Sequence, residues 1–221
     1  VITSTPYLAD RLSDFVKPDK IHVQLNHVDI SKFQQWEHTE QAKPVIGWLG
    51  STAHRSGDLA VLKSVYNMLG TQDWAYHHSG HIGWFPPFYE EVGLDADDVT
   101  ILLPTPGPKL GQLMRFDIGV VPLTMNPFNE SNSWIKGLEY AAAGIPFVAS
   151  PSQAYKTLRD QYGVGIVAKR QNDWINALGR LRDPKYRQDI ADESFERIQP
   201  LDARYGAAKW DALVTDIVKG A

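Results

Sequence analysis

The chain has 221 residues and a mass of 24.8 kDa, of which 43% are hydrophobic and 22% charged, proportions that exclude a disordered or fibrous protein. The formal net charge of −4 provides no general attraction for nucleic acid or for an anionic membrane surface. The absence of cysteine excludes disulfides, thiolate metal sites and a cysteine nucleophile, and we expect a cytoplasmic location.

The first part of the chain predicts two short strands with a helix between them. Residues 1–5 are typical of a strand, and Thr5 followed by Pro6 predicts the N-cap and first position of a helix that runs to about Phe15. A second strand is predicted over residues 21–25. Residues 31–43 have a weak pattern, and we interpret them as a linker.

The main unit predicts strands that alternate with helices. It starts with the apolar run Val45 to Gly50, and Asp58 is expected to cap the helix that follows. The apolar stretches are too short for a membrane span, which needs ~20 residues. The pattern predicts an α/β fold, a Rossmann-like open parallel sheet with helices on both faces and ligands at the carboxyl ends of the strands. Further strands are predicted at 74–78, 99–103, 118–123, 146–149 and 164–168, and helices at 110–115, 133–143, 154–161 and from 174 onward.

The loop after the first strand of this unit is a candidate phosphate site. Gly50 allows close backbone approach, Ser51 supplies a hydroxyl, and Arg55 can bind phosphate oxygens with two N–H groups. The spacing matches neither the dinucleotide fingerprint nor the P-loop. The alternative is a tight turn between strand and helix that binds nothing.

A second candidate lies where an Asn- and Ser-rich loop leads into the helix predicted over residues 133–143. Unpaired N–H groups and the helix dipole favour a diphosphate at such an end. Lys136 and Glu139 are three residues apart and share a helix face, so the ammonium could bind phosphate while the carboxylate binds ribose hydroxyls. The alternative is an exposed ion pair on a helix.

These residues carry a resemblance to a known family. The text Asp117-Ile118-Gly119, Pro122-Leu123 and Lys136 to Ser150 resembles the donor-binding motif of the GT-B glycosyltransferases, group 1 or family 4-like. Residues 3–9 and 26–29 resemble the end of the acceptor domain and the linker of that family, and 47–51 its first C-terminal strand and glycine loop. The resemblance implies an acceptor-domain remnant at 1–33, a nucleotide-sugar-binding domain at 44–200, and a C-terminal helix at 201–221 that packs back toward the N-terminal segment.

The resemblance also implies a reaction and a set of site residues. A sugar would pass from a nucleoside diphosphate donor to the hydroxyl of a glycan, lipid or protein acceptor, with retention, no metal and no other cofactor, and the acceptor-side base would lie outside this chain. Glu139 would bind the donor ribose. The first carboxylate of the family's E-x7-E pattern falls on Ser131, with Glu130 offset by one residue. The diphosphate would be bound by Gly50, Ser51, Arg55, Ser131, Ser133 and Lys136, and loops near the donor would contribute His54, His81 and Pro104.

Several alternatives stay open. His77, His78 and His81 suggest a zinc cluster, but neighbouring residues of a strand face opposite sides and cannot share an ion. Trp48 and Trp134 flank the expected cleft, where they pack in the core or stack on a base. A nucleotide-sugar epimerase, a phosphorylase and a non-catalytic nucleotide- or sugar-binding module are the competing functions. Uncovered apolar faces at residues 1–15 and 203–219 predict dimerisation or contact with a missing N-terminal domain.

Overall fold

The computed structural model describes residues 1–52, 57–80, 86–102 and 115–219. Its main feature is a six-stranded parallel sheet with the strand order β5-β4-β3-β6-β7-β8. The strands β3, β4 and β5 follow one another toward one edge of the sheet, and β6, β7 and β8 follow one another from β3 toward the other edge. This is the strand order of a doubly wound sheet. The predicted α/β fold class is confirmed. The strands are β3 (Val45–Leu49), β4 (Ala75–Ser79), β5 (Val99–Leu102), β6 (Ile118–Val121), β7 (Phe147–Ala149) and β8 (Ile166–Val167).

Helices cover both faces of this sheet, and three of them were predicted within two residues of their ends. Short 3-10 turns precede some of the helices, including Leu59–Leu62 before α2. Of the helix predicted at 110–115, residues 110–114 lie outside the described residues. The helices are α1 (Pro6–Leu12), α2 (Lys63–Leu69), α3 (Phe88–Val92), α4 (Pro127–Ser131), α5 (Ile135–Ala142), α6 (Gln153–Tyr162), α7 (Gln171–Arg180), α8 (Pro184–Arg197) and α9 (Ala203–Lys219).

The central strands are apolar throughout because both of their faces are covered. All four residues of β6 are buried, and alternate side chains enter different cores. Ile118 and Val120 pack with Trp48, Tyr66 and other residues of one core. The next residue, Val121, packs on the opposite face with the aromatic and alanine side chains of α5 and β7. The continuous apolar runs in the sequence therefore predict these strands correctly.

The N-terminal segment forms its own small parallel sheet, in which β1 (Ile2–Thr3) pairs with β2 (His22–Val23). The predicted helix start is confirmed, because the Thr5 hydroxyl accepts a hydrogen bond from the Leu8 N–H and Pro6 occupies the first turn. The helix ends at Leu12, earlier than predicted, and Phe15 beyond it is 84% exposed. The predicted helix end at Phe15 was wrong, because this side chain has no surface to pack against among the described residues.

Residues 31–43, interpreted as a linker, cross the edge of the sheet where the strands begin. His38 is buried, and its Nε2 lies 2.8 Å from the carbonyl oxygen of Gly144. Arg187 of α8 is fully buried and donates to the carbonyl of Thr39. Both side chains lie near the buried carboxylate of Asp117, at 3.8 and 3.9 Å. The linker is thus fastened to the domain by buried polar groups.

The last helix begins beside the N-terminal segment. Val28 and Asp202 form an isolated parallel bridge, and a Cβ on Gly206 of α9 would lie 2.7 Å from the His27 ring. Further along α9, Trp210, Val214 and other apolar side chains are 38–71% exposed. The opening helix α1 packs on α4 and the small sheet. Within the described part of the chain, no helix is both long and apolar enough to cross a membrane.

Candidate functional site

A cleft of about 350 Å³ opens at the carboxyl ends of β3 and β6. These are the two central strands of the sheet, and the strand order reverses between them. Ligands of doubly wound sheets bind at this position. The cleft size falls in the range of small-molecule sites. Its lining residues come from the two strand ends, the loops after them, and helices α4 to α6: Trp48, Gly50, Ser51, Asp58, Val121, Pro122, Leu123, Phe128, Asn132, Ser133, Ile135, Lys136 and Tyr155.

Helix α5 fastens the end of β3 through two side chains that lie one turn apart. The Lys136 ammonium donates to the carbonyl oxygen of Leu49. The Leu49 N–H donates to the Tyr140 phenol oxygen at 3.1 Å. Burial raises the pKa of Tyr140 well above its ordinary value, so the phenol stays protonated. Both backbone groups of Leu49 are therefore held by α5, and Lys136 lies at the wall of the cleft.

The positive charge of Lys136 lies against an aromatic stack. Its Nζ is 5.8 Å from the centre of the Trp48 ring, within the range of a cation–π contact. The rings of Trp48, the buried His78 and Phe88 contact one another, with centroids 4.9 Å apart for Trp48 and His78, 5.2 Å for His78 and Phe88, and 5.7 Å for Trp48 and Phe88. Burial lowers the pKa of His78, and the nearby Lys136 charge lowers it further. The imidazole is therefore neutral at pH 7, which leaves the positive charge on Lys136.

Two glycines allow the loops after β3 and β4 to touch. The Gly50 N–H donates to the carbonyl of Ser79 at 2.9 Å. Gly80 has a φ of +156°, and a Cβ there would lie 1.7 Å from the Gly50 carbonyl oxygen. A Cβ on Gly50 would itself meet the Trp48 ring at 2.5 Å. A larger residue at Gly80 would push the two loops apart, and one at Gly50 would displace the Trp48 ring that lines the cleft, so Gly50 shapes the cleft as well as exposing backbone to a ligand.

Asp58 joins the two sides of the cleft, and its predicted role as a helix cap is wrong. No N–H group of the 3-10 turn that starts after Asp58 donates a capping hydrogen bond to its side chain. The buried carboxylate instead accepts from the Thr124 N–H at 2.8 Å and from the Asn129 amide at 2.6 Å. The sequence places Asp58 correctly before a helix, but the N–H groups that reach it come from the loop after β6. This carboxylate therefore holds that loop against the segment after β3.

The loop that leads into α5 contains a short helix that the sequence analysis missed. Asn126 caps α4 by accepting from the Asn129 N–H at 2.9 Å, and Pro127 occupies its first turn. Cap and proline together are a helix-start signal that was present in the sequence. Ser131, predicted to bind diphosphate, donates its hydroxyl to the carbonyl of Pro127 at 2.8 Å and is not among the described lining residues. Ser133 lines the cleft.

The two glutamates of this region are placed differently. Glu130 accepts from the Gln153 N–H at 2.7 Å and so binds the start of α6. Glu139 is half-buried on the second turn of α5 and is not among the described lining residues of the cleft. Its role toward a ribose stays a prediction.

Other predicted donor contacts fall in parts of the chain that the structure leaves out. Arg55 and His54 follow the described part of the loop after β3, and His81 and Pro104 follow β4 and β5. All four lie outside the described residues. Ser51 lies within them and lines the cleft. The structure thus brings Gly50, Ser51, Ser133 and Lys136 together.

The histidines of β4 face opposite sides of the sheet, as predicted. His77 lies 6.4 Å from the Phe116 ring, whereas His78 stacks on Trp48 in the other core. Burial lowers the pKa of His77. Among the described residues, no group of three or more His, Cys, Asp or Glu residues is arranged to hold a metal ion.

The two flanking tryptophans have different surroundings. Trp48 lines the cleft, but it is 4% exposed and already stacked. Trp134 is 3% exposed, and its indole N–H donates to the carbonyl of Asn26 at 3.0 Å. It lines a second cavity of about 300 Å³ between the N-terminal segment and α6, whose wall shares Ser133 with the cleft. Neither indole presents a wide open face to a base.

Neither a protein-family model nor a curated protein matches the sequence. Solved structures do match. Sucrose-phosphate synthase from Thermosynechococcus elongatus gives a TM-score of 0.78 at 17% identity, covering 100% of this chain and 59% of its own. A glycosyltransferase from Rickettsia africae gives 0.78 at 13% identity, covering 100% and 64%. HepE from Anabaena, in complex with UDP and glucose, gives 0.76 at 12% identity, covering 97% and 62%.

The chain therefore spans 59–64% of the length of these three structures. The match includes the six-stranded sheet, the helices on both faces and the N-terminal segment, since it covers nearly every residue of this chain. Identities of 12–17% carry a likeness of fold. On this likeness and the strand order of its sheet, the chain has the parallel-sheet α/β fold that these GT-B glycosyltransferase structures contain.

Proposed function

We propose that the chain is the donor-binding half of a glycosyltransferase and that its cleft binds a nucleoside diphosphate sugar. The observation that carries the proposal is the position of the Lys136 ammonium, beside the N-terminal residues of α5 and at the switch point of the sheet. Phosphate oxygens favour an ammonium group and the N–H groups of a helix N-terminus. The likeness to glycosyltransferase structures supports the same function.

In this proposal the cleft binds the diphosphate through a small set of groups. Lys136 supplies charge, the Ser133 hydroxyl and Ser51 supply hydrogen bonds, and Gly50 lets the backbone approach. Arg55, outside the described residues, is proposed as a second cation. These charges stabilise the diphosphate as it leaves the anomeric carbon, so no metal is required. The leaving group is thus the part of the donor that this chain binds most strongly.

In the same proposal, the Glu139 carboxylate binds the ribose of the donor. Glu139 lies three residues after Lys136 on α5 and is half-buried. Because the cleft ends before it, a bound nucleotide has to extend from Lys136 along the second turn of the helix to reach this carboxylate. That direction places the diphosphate at the helix N-terminus and the nucleoside away from it.

The transfer itself is proposed from the resemblance. The bond between the anomeric carbon and the diphosphate oxygen breaks, and a bond to an acceptor hydroxyl of a glycan, lipid or protein forms with retention. The group that takes the acceptor proton is assigned to no residue of this chain. A cytoplasmic location is part of the same proposal, because the cysteine-free sequence suits a reducing compartment.

A ligand panel tests the binding step. Thermal unfolding and calorimetry are measured with UDP, GDP, ADP and their sugars, beginning with UDP because HepE was solved with it. A ligand at 100 times its dissociation constant adds ~2.7 kcal/mol to the free energy of unfolding. We expect one base to stabilise the chain more than the other two. If none of these ligands stabilised the chain, the result would contradict a nucleotide-sugar site.

A product assay then tests the reaction with the chain as part of its full-length protein. A transferase releases nucleoside diphosphate and forms a new glycoside when an acceptor is added. An epimerase changes the sugar without releasing the nucleotide, and a phosphorylase needs phosphate. Binding with none of these products would indicate a non-catalytic binding module.

A further inference from the structure

We propose that Asn26 is a positioning residue for the cleft and that its side chain turns the Ser133 hydroxyl into a hydrogen-bond donor toward the bound diphosphate. The Asn26 Nδ2 donates to the Ser133 Oγ at 2.6 Å. Ser133 lies in the wall of the cleft, two residues before α5 begins at Ile135. The identity of the ligand rests on the proposed function, whereas the contact between the two side chains does not.

The chemistry of a hydroxyl gives this contact a direction. A serine hydroxyl has one hydrogen to donate and two positions that accept. The Asn26 amide occupies an accepting position, so the hydrogen of Ser133 is directed away from Asn26. Phosphate oxygens accept hydrogen bonds and do not donate them when ionised. The amide therefore excludes the orientation in which the Ser133 hydrogen points at Asn26, and it leaves that hydrogen to donate to an anion.

The support for this loop comes from outside the six-stranded sheet. Asn26 follows β2 of the small N-terminal sheet, and Thr5 of the same segment donates to the carbonyl of Ser131 at 3.1 Å. The Trp134 indole donates to the Asn26 backbone carbonyl at 3.0 Å. The N-terminal segment thus contacts Ser131, Ser133 and Trp134, three residues of the chain just before the first turn of α5. The shape of the cleft depends on where that segment lies.

The same contacts separate a positioning role from a merely structural one. Asn26→Ala removes the bond to Ser133 but keeps the backbone carbonyl that Trp134 uses, so the N-terminal segment stays attached. Asn26→Asp keeps the size of the side chain, but the new carboxylate only accepts hydrogen bonds. It therefore draws the Ser133 hydrogen toward itself and away from the cleft.

Calorimetry with UDP, GDP and ADP measures the effect on binding. Loss of one hydrogen bond from a donor to an ionised phosphate oxygen corresponds to roughly tenfold to 150-fold weaker binding, which we expect for Ser133→Ala, and a smaller loss is expected for Asn26→Ala, which leaves the hydroxyl in place. The double variant should bind no more weakly than Ser133→Ala alone, because Asn26 acts through Ser133. Losses that multiply in the double variant would overturn the inference.

Asn26→Asp supplies a second comparison. With Ser133 present it should bind the diphosphate more weakly than Asn26→Ala, and part of that difference should vanish when Ser133 is replaced by Ala. The part of the difference in affinity that remains without Ser133 measures the repulsion between the added negative charge and the diphosphate. A difference of the same size with and without Ser133 would show that charge alone is responsible and would contradict the positioning role.

Hydrogen exchange in the ligand-free protein makes the test independent of the nucleotide. Asn26→Ala should accelerate exchange of the Leu138 amide, which donates to the Trp134 carbonyl beside Ser133, whereas Ser31→Ala, whose hydroxyl bonds only to Asp29 among the described residues, should not. Unchanged exchange in Asn26→Ala would overturn the inference whether or not a nucleotide binds. Faster exchange in a protein that binds no nucleotide would keep the positioning of the loop and reject the proposed function.

Discussion

The phenol oxygen of Tyr140 accepts a hydrogen bond from the backbone N–H of Leu49, which joins the middle of α5 to the last residue of β3. Both residues are buried. A buried N–H without a partner costs free energy, so this bond fixes the distance between the helix and the strand end on opposite walls of the cleft.

Tyr140→Phe should lower the free energy of unfolding by about 1–3 kcal/mol, because it leaves the Leu49 N–H buried and unpaired. The pKa of Tyr140 is raised by burial, so the loss should be constant across neutral and mildly alkaline pH. Urea denaturation measures it. Tyr205→Phe is the matched control, since Tyr205 is 56% exposed and should change stability little. Equal effects of the two variants would contradict the structural role of the bond.

Lys136→Ala should weaken the binding of a nucleoside diphosphate by about 1.5–3 kcal/mol and hardly affect the nucleoside, since the ammonium is assigned to phosphate oxygens. Arg55→Ala is expected to show the same preference. Calorimetry with the diphosphate and the nucleoside checks both. Lys185→Ala is the control, because that ammonium pairs with Asp189 on the exposed face of α8. Equal losses for the diphosphate and the nucleoside would reassign Lys136 to structure.

Glu139→Ala should weaken both nucleoside and nucleoside diphosphate by about 1.5–3 kcal/mol, because the lost hydrogen bonds are those to the ribose. The chain should remain folded. Glu193→Ala, which removes an exposed pair with Arg197, serves as the control. The 2′,3′-dideoxynucleoside diphosphate gives a second check, since it should bind wild type and the Glu139 variant alike. Wild-type affinity of Glu139→Ala for the nucleoside diphosphate would remove this residue from the site.

Donor binding should survive chelation of divalent cations, because the cations proposed for the diphosphate are side chains. Calorimetry of UDP binding with and without EDTA measures this, and added Mg²⁺ or Mn²⁺ provides the opposite comparison. The dissociation constants with and without EDTA should agree within about twofold, which corresponds to a change of less than about 0.5 kcal/mol in the free energy of binding. A requirement for either metal would mean that the diphosphate is neutralised differently.

Stability in acid should depend on Asp117. Burial acts to raise its pKa, but the nearby His38, the Val45 N–H at 2.8 Å and the Arg187 charge together lower it. A lowered carboxyl pKa contributes stability that is present above the unfolded pKa of ~3.9 and lost as the pH falls through the folded value. The difference in unfolding free energy between wild type and Asp117→Asn should therefore be largest near pH 7 and shrink below about pH 4. Urea denaturation at several pH values checks this, and a difference that grows in acid would contradict it.

The sequence predicts the strands well because their apolar character reflects burial on two faces, as at Val45–Leu49. It predicts Lys136 at the cleft because a polar loop before a helix that follows β6 has to lie at the carboxyl edge of the sheet. Helix α4 was missed because it is five residues long, too short for a periodic apolar pattern. Local signals therefore find the elements and their edges.

The partners of individual polar groups could not be predicted in the same way. Asp58 accepts hydrogen bonds from Thr124 and Asn129, which lie 66 and 71 positions later in the sequence. Asn26 and Ser133 are separated by 107 positions. Nothing in the residues beside Asn26 indicates which part of the chain its amide reaches. Such contacts depend on how the N-terminal segment and the sheet come together, which is a property of the tertiary structure.

The pairing of β3 with β6 has a consequence for how ligand binding and folding are connected. Ile46 is in register with Ile118 at the centre of the sheet, so the two strand ends that form the cleft meet only when distant parts of the chain have closed a long loop. The cleft cannot exist in a partly unfolded protein that lacks this pairing. A bound nucleotide should accordingly slow exchange of the most protected core amides, those that open only by global unfolding, and increase the cooperativity of the whole domain.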